Sequence, residues 1–378
     1  MKKLLFAITS LIIVSCGSEN KEGKTVSDYV PELVIVDSLV IDRLVVPSLL
    51  DYTKDRQLFL FFDFKSKELI LTKNTGEILT VANRAVEGPN SYKPSYFSTV
   101  RFVDNNRILV ETYTGSFIYD REFNLIDSKP SKVQILSTIM GDTPGFVLDE
   151  KRQFKFGFLE ADIDQIQKND EMKMDEYDFL KVSDHDGEVL FSSQIPRSVN
   201  YIQTPGVYFS YDPNSLIKGN KLFLQFLFTP IIYSYSFPEL ELLDSIFLDP
   251  GKEFKEVKPS PKGENFGRFF EELKGSRYEK FVFSNDYLLT WYVKGAPDEE
   301  VDALDRRVVG DEKYNLLVKK YKTPVYQIFK GKEKLWEGEW QIKLEVKNDL
   351  IYSVNAKLGE DPDAEERDVQ TLYFYELR

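Results

Sequence analysis

The sequence predicts an all-β protein, a six-bladed β-propeller carrying short helical insertions. Three observations predict it. Aromatic residues make up 14% of the chain, with 29 Phe and 21 Tyr. A strand–turn–strand pattern recurs along most of the length. The first and last strand-like segments each look like part of one unit. Aromatic and β-branched side chains suit a pleated, half-buried surface, and repetition at a regular period is the signature of repeat architectures.

The repeated element is an Asn or Asp turn, an aliphatic–aromatic strand, a short polar turn and a further strand. It occurs at Leu58 to Thr80, Asn105 to Ser128, Tyr177 to Ser192 and Asn220 to Phe247. It occurs again at Asn285 to Val293, resuming at Thr323 to Glu337, and at Asn348 to Val354, resuming at Val369 to Leu377. Asn74-Thr75-Gly76 and Asp184-His185-Asp186-Gly187 supply the positive-φ positions that tight hairpins require. Alternation between turns is nearer a period of two than 3.6. Six units over residues 31–378 average about 58 residues, against about 40–50 for a blade. Polar inserts at Glu160 to Glu176, Lys252 to Glu279 and Ala296 to Lys322 account for the excess. Seven smaller blades are also compatible with the pattern.

Two inserts carry helical signals. Phe266, Phe269, Phe270 and Leu273 fall along one helical face, which reads as a short helix packed onto the propeller. Pro297-Asp298-Glu299-Glu300 is a good helix N-terminus, and Gly310 divides the helical stretch that follows. At the chain ends, Thr371 to Leu377 reads as the third strand of a unit and Leu39 to Val46 as a fourth. Pairing them would close the ring and remove the exposed edges that make open sheets aggregate.

The N-terminus reads differently. Lys2 and Lys3 precede an apolar run from Leu4 to Val14. That run is too short for a bilayer span, which needs about 20 residues, and it has the layout of a secretory signal. Ile13-Val14-Ser15-Cys16 resembles the lipobox of bacterial lipoproteins. The resemblance implies removal of residues 1–15 and lipid attachment at Cys16. The chemistry needs a thiolate there, and several acyl chains hold a protein where one would be marginal. Residues 16–30 read as a flexible tether, and 31–378 as the propeller. With only one Cys, no disulfide within the chain is possible.

Composition bounds the function. The net charge is −13, a surface that repels nucleic acid. A single His restricts any His-dependent mechanism to His185 and rules out zinc sites with several His or Cys ligands. His185, between Asp184 and Asp186, reads as part of a solvated turn rather than a metal ligand. Asp162-Ile163-Asp164 and Asp361-Pro362-Asp363 do not have the spacing of a calcium loop. Gly263 to Gly267 follows no strand and is not a phosphate-binding fingerprint. Neither a metal nor a cofactor is expected.

A lipobox, a short tether and degenerate repeats together resemble the six-bladed propeller lipoproteins of unknown function found in gut and environmental Gram-negative bacteria. Glu87-Gly88-Pro89 is similar to the Gly-Pro turn between blades in that group, with Val86 and Ser91 departing from its fuller Gly-x-Gly-Pro-x-Glu form. The resemblance implies a fold and not an activity. On the connections between blades lie Tyr92, Tyr96, Tyr201, Tyr208 and Tyr211, candidates for a ligand-binding face at the axial mouth. Packing between blades is the competing assignment.

The leading expectation is a membrane-tethered, non-catalytic binding module of the cell envelope, anchored by lipid to the outer membrane, with an envelope protein or a glycan as partner. A carbohydrate-active enzyme using paired carboxylates at the propeller mouth, and a sensor or assembly factor for another envelope protein, are the alternatives. No catalytic residue is identifiable.

Overall fold

The computed structural model describes residues 32–44, 47–92, 97–112, 115–130, 145–147, 152–156, 175, 177–184, 186–261, 264, 266–356 and 369–378. Cys16 with the signal and tether, Tyr96, His185, and the acidic pairs 162–164 and 361–363 lie outside them.

The strands form six antiparallel four-stranded sheets, so the chain has six blades and not seven. Sheet 1 contains β2 (Ser48–Tyr52), β3 (Leu58–Asp63), β4 (Glu68–Lys73) and β5 (Ile78–Ala82). Sheet 2 contains β6 (Phe97–Phe102), β7 (Ile108–Thr112), β8 (Gly115–Tyr119) and β9 (Leu125–Pro130). Sheet 3 contains β10 (Gly145–Val147), β11 (Arg152–Phe156), β12 (Leu180–Asp184) and β13 (Val189–Ser193). Sheet 4 contains β14 (Pro213–Lys218), β15 (Lys221–Phe226), β16 (Ile231–Ser236) and β17 (Leu242–Phe247). Sheet 5 contains β18 (Arg277–Ser284), β19 (Tyr287–Val293), β20 (Pro324–Lys330) and β21 (Glu333–Gly338).

Sheet 6 is assembled from both ends of the chain. β22 (Glu345–Lys347), β23 (Leu350–Val354) and β24 (Gln370–Leu377) supply three strands, and β1 (Leu33–Ile41) supplies the outer one. β1 pairs with β24 from Leu33 opposite Leu377 to Ile41 opposite Gln370. The closing strand therefore starts six residues before the expected Leu39 and ends at Ile41. Arg43, just beyond it, donates to Glu68 Oε2 at 2.8 Å and so fixes the chain's entry into sheet 1.

Middle strands are buried on both faces, because each blade packs against a neighbour on either side. All six residues of β3 are buried, as are the six from Leu288 to Val293 in β19, whereas β9 and β17 are mostly exposed. Double-sided burial gives near-continuous apolar runs such as LFLFF, and this is why alternation in the sequence is imperfect. Turn chemistry follows the sequence closely. Asn285 and Asn348 have φ of 52° and 51° and open two-residue hairpins, and Gly219 does so at 62°. Gly76 has φ of 86°, and a Cβ there would lie 1.9 Å from the Val40 carbonyl oxygen of β1.

Helices occupy the connections. α1 (Asn200–Gln203) precedes β14, α2 (Gly267–Lys274) precedes β18, and α3 (Asp298–Asp302) and α4 (Glu312–Tyr321) lie between β19 and β20. Phe270 and Leu273 of α2 pack with Val301 and Tyr314 of the two later helices. Phe266, expected on the same face, is exposed. The second insert ends before Arg277 rather than at Glu279, because β18 begins there. Asp311 caps α4 by accepting from Tyr314 N at 2.8 Å. Glu272 binds Arg277 and Lys322, each at 3.0 Å, and so ties α2 to β18 and to the end of α4.

Ring closure has a measurable energetic signature. Ile41 is fully buried with Phe59, Phe61 and Phe374, between the last sheet and the first. Ile41→Ala is expected to cost about 2–5 kcal/mol in urea unfolding, and Val40→Ala, on the exposed face of the same strand, about 0.5 kcal/mol or less. Equal effects would mean that this seam does not hold the ring.

Candidate functional site

In five of the six sheets the strand that begins the blade lies innermost, beside the propeller axis. Residues of β2, β6, β14, β18 and β22 line one cavity of about 650 Å³. Turns that join first to second strands add Thr53, Lys54, Val103, Asp104, Asn105, Asn106 and Asn348 at its rim. The cavity thus opens at the end of the axis where those turns lie. The beginning of β1 lies at the same end, since Leu33 pairs with Leu377 and Asn285 in a first turn donates to the Leu377 carbonyl at 3.2 Å. The helical inserts occupy connections at the opposite end.

Charged and amide side chains converge on this axis. Asp51, Arg101, Lys280 and Lys347 come from β2, β6, β18 and β22, with Asn214 from β14. Asp51 is 8% exposed. Its carboxylate accepts from Phe102 N at 2.7 Å and from Asn348 Nδ2 at 3.1 Å, which joins sheet 1 to sheets 2 and 6. Next to it, the Tyr52 hydroxyl donates to Asp349 and contacts the Lys347 carbonyl at 3.2 Å. Burial raises the Asp51 pKa; the charge of Lys347 and the hydrogen bonds from Phe102, Tyr52 and Asn348 offset this only in part. Burial likewise lowers the Arg101 pKa against the opposing pull of Glu111 and Asp51, and the guanidinium stays charged at any physiological pH.

Asp104, at the rim, is a turn residue. Burial works against its ionisation, but the N–H groups of Asn106 and Arg107 and the Arg107 guanidinium outweigh that and lower its pKa. The Arg107 guanidinium lies 2.7 Å away. Among the described residues, no group of three or more His, Cys, Asp and Glu is placed to hold a metal ion. No helix among them is long and apolar enough to cross a membrane.

Of the tyrosines singled out in the sequence, the described four, Tyr92, Tyr201, Tyr208 and Tyr211, do not line this cavity. Tyr92, Tyr201 and Tyr208 are each 1% exposed. Tyr92 is on the connection from β5 to β6 and meets Phe97 edge-on. Tyr201, Tyr208 and Tyr211 cluster with ring centroids 5.0–6.2 Å apart, against Phe226 and Phe228. The hydroxyls of Tyr208 and Tyr211 donate to the carbonyls of Thr204 and Gly206. Burial pushes the phenols of Tyr92 and Tyr211 up to about 12, so both stay neutral. A ligand reaching the three buried rings would have to displace the segments packed on them.

The strands that carry the axial residues are the ones the repeat pattern omits. A readable signal exists in hindsight: a basic residue within a short strand-like stretch, as in FSTVRF and RYEKFVF.

Asp51 has a pH signature. Folding raises its pKa above the ordinary 3.8, so the folded state takes up a proton. Stability from this group is full below about pH 4 and is lost as pH rises through the raised pKa. The melting temperature of Asp51→Asn, relative to wild type, is therefore expected to rise between about pH 4 and pH 7. A constant difference across that range would show that the Asp51 charge is fully compensated.

No protein-family model and no curated protein matches the chain. Solved structures do. The chain is similar to a member of the DUF4221 family from Bacteroides vulgatus ATCC 8482, with a TM-score of 0.62 and 14% identity over 92% of this chain and 98% of that one. It is also similar to a protein from Bacteroides fragilis NCTC 9343 described as "Putative exported protein", with a TM-score of 0.57 and 12% identity over 93% and 96% of the two chains. At these identities the likeness establishes the propeller fold.

Proposed function

We propose that the protein is a non-catalytic binding module, exported and lipid-tethered in the cell envelope at the outer membrane, that takes its ligand in the axial channel. The observation that carries this reading is the cavity of about 650 Å³ into which five sheets direct polar and charged groups. Ligand sites are concave, of about 300–1,000 Å³, with a few converging polar groups. The tether reading rests on Lys2, Lys3, the apolar run and Ile13-Val14-Ser15-Cys16. The description of one structural neighbour as exported agrees with it.

Hydrolysis by paired carboxylates is the second reading. Asp51, with its raised pKa, is the carboxyl group in the channel that would serve as the acid. Its companion at the rim, Asp104, has one oxygen engaged by two backbone N–H groups and the other by Arg107. That engagement favours a turn-stabilising role for Asp104 and, with it, binding over hydrolysis. An assembly or sensing role would be a special case of binding with a protein as ligand.

Channel binding is tested with variants that fill the channel. Thr99→Trp and Ser215→Trp are expected to abolish capture of the glycan or envelope protein that the wild-type chain recovers, with little change in melting temperature. Recovery by both variants at the wild-type level would place the ligand elsewhere, with the inter-blade tyrosines next to be tested.

Tethering is tested separately. Cys16→Ser is expected to move the protein from the membrane fraction to the soluble fraction of the envelope. Retention of that variant in the membrane would overturn lipid attachment at Cys16.

A further inference from the structure

We infer that the protein stands with its channel mouth towards the membrane that holds the lipid and its helical end away from it, so that what enters the channel is a small molecule or an extended chain segment drawn from the gap between ring and membrane. The inference rests on lipid attachment at Cys16 as proposed above, and it adds which end of the ring the membrane faces.

The entry point of the chain is the first support. β1 runs antiparallel to β24, with Leu33 opposite Leu377 and Ile41 opposite Gln370. Glu32 and Arg378 exchange both backbone hydrogen bonds just before it, at 2.9 and 3.3 Å, and so pin the chain at the start of the strand. This start lies at the mouth end, beside the first turn of sheet 5, where Asn285 donates to the Leu377 carbonyl. The helices at Gly267–Lys274, Asp298–Asp302 and Glu312–Tyr321 are inserted at the other end.

Length is the second support. Fifteen residues separate Cys16 from Glu32. Such a chain spans at most about 50 Å and as a coil averages about 20–25 Å. To turn the helical end to the membrane, it would have to run back along β1 and past the helical layer, about 40 Å in all. That is close to full extension, which a coil rarely visits. The same reach limits the partner. A folded domain of about 100 residues has a radius of gyration of about 13 Å, too wide for the gap that the average tether leaves.

The experiment is energy transfer from the lipidated chain, purified from its own cells and reconstituted in phosphatidylethanolamine–phosphatidylglycerol vesicles, to a headgroup-labelled acceptor lipid. Cys16 is the only Cys and lipidation consumes its thiol, so an introduced Cys takes a single donor label. Lys54→Cys and Asp286→Cys place the donor on exposed turns at the mouth, and Glu299→Cys and Lys319→Cys on exposed helical positions at the far end. The mouth labels are expected to transfer at least about twofold more than the far-end labels at equal melting temperature. Equal transfer, as from a ring lying on its side, or stronger transfer from the far end overturns the inference. Inserting about forty Gly and Ser residues before Glu32 raises the average reach to about 40 Å and is expected to abolish the difference; a difference that persists overturns the tether as its cause. Failure of the full chain to associate with vesicles refutes lipid attachment itself and takes this inference with it, an outcome distinct from association without orientation.

Discussion

Antiparallel pairing of β1 with β24 is the constraint on which the structure depends. Each blade buries its middle strands only because a blade stands on either side. The ring therefore has to close before sheets 1 and 6, which meet at the seam, are covered on both sides. Closure by a strand from the opposite end of the chain makes the seam a backbone ladder from Leu33 to Ile41, continuous except for a bulge between Ile35 and Asp37. The ladder satisfies the polar edge of β24 and leaves no unpaired inner edge at the seam. Leu39 and Ile41 then bury their side chains with the aromatics of sheets 1 and 6. Gly76 belongs to the same seam: its hairpin comes so close to Val40 that no side chain fits.

The axis carries the opposite chemistry. First strands have neighbouring blades beside them and the lumen in front, so they can carry charge where the middle strands cannot. Asp51 uses this position structurally, since its oxygens accept from Phe102 and Asn348 and link three consecutive sheets around the axis. Together with Tyr52 and Asp349 it makes a polar fastening at the axis that complements the apolar seam further out. Asp51 and Tyr52, which line the channel, therefore also hold the blades in position.

Much of the fold was legible in the sequence because turns and doubly buried strands leave strong local marks. Asn285 and Asn348 sit where a positive φ is needed, and the apolar runs after them are the second strands of sheets 5 and 6. The candidate site was not legible for a related reason. β6 and β18 mix apolar residues with Thr, Ser, Arg, Lys and Glu, a composition that reads as loop or edge. The tyrosines drew attention through their chemistry, yet Tyr92, Tyr201 and Tyr208 lie in the interior. A sequence gives the character of a connection but not what packs over it.

The sequence by itself determined the all-β class, the repeat pattern, the hairpin positions, the helical inserts and the use of a terminal strand to close the ring, while the choice of six blades over seven came from the sheets themselves. These follow from local propensity, turn stereochemistry and periodicity, which act over a few residues. Only the tertiary structure decided which residues meet at the axis. Arg101, Lys280 and Lys347 are separated by tens to hundreds of residues, and their convergence is a product of ring geometry: each first strand is delivered to the centre by the blade before it. No local pattern encodes that meeting, because the charges never have to be near one another along the chain.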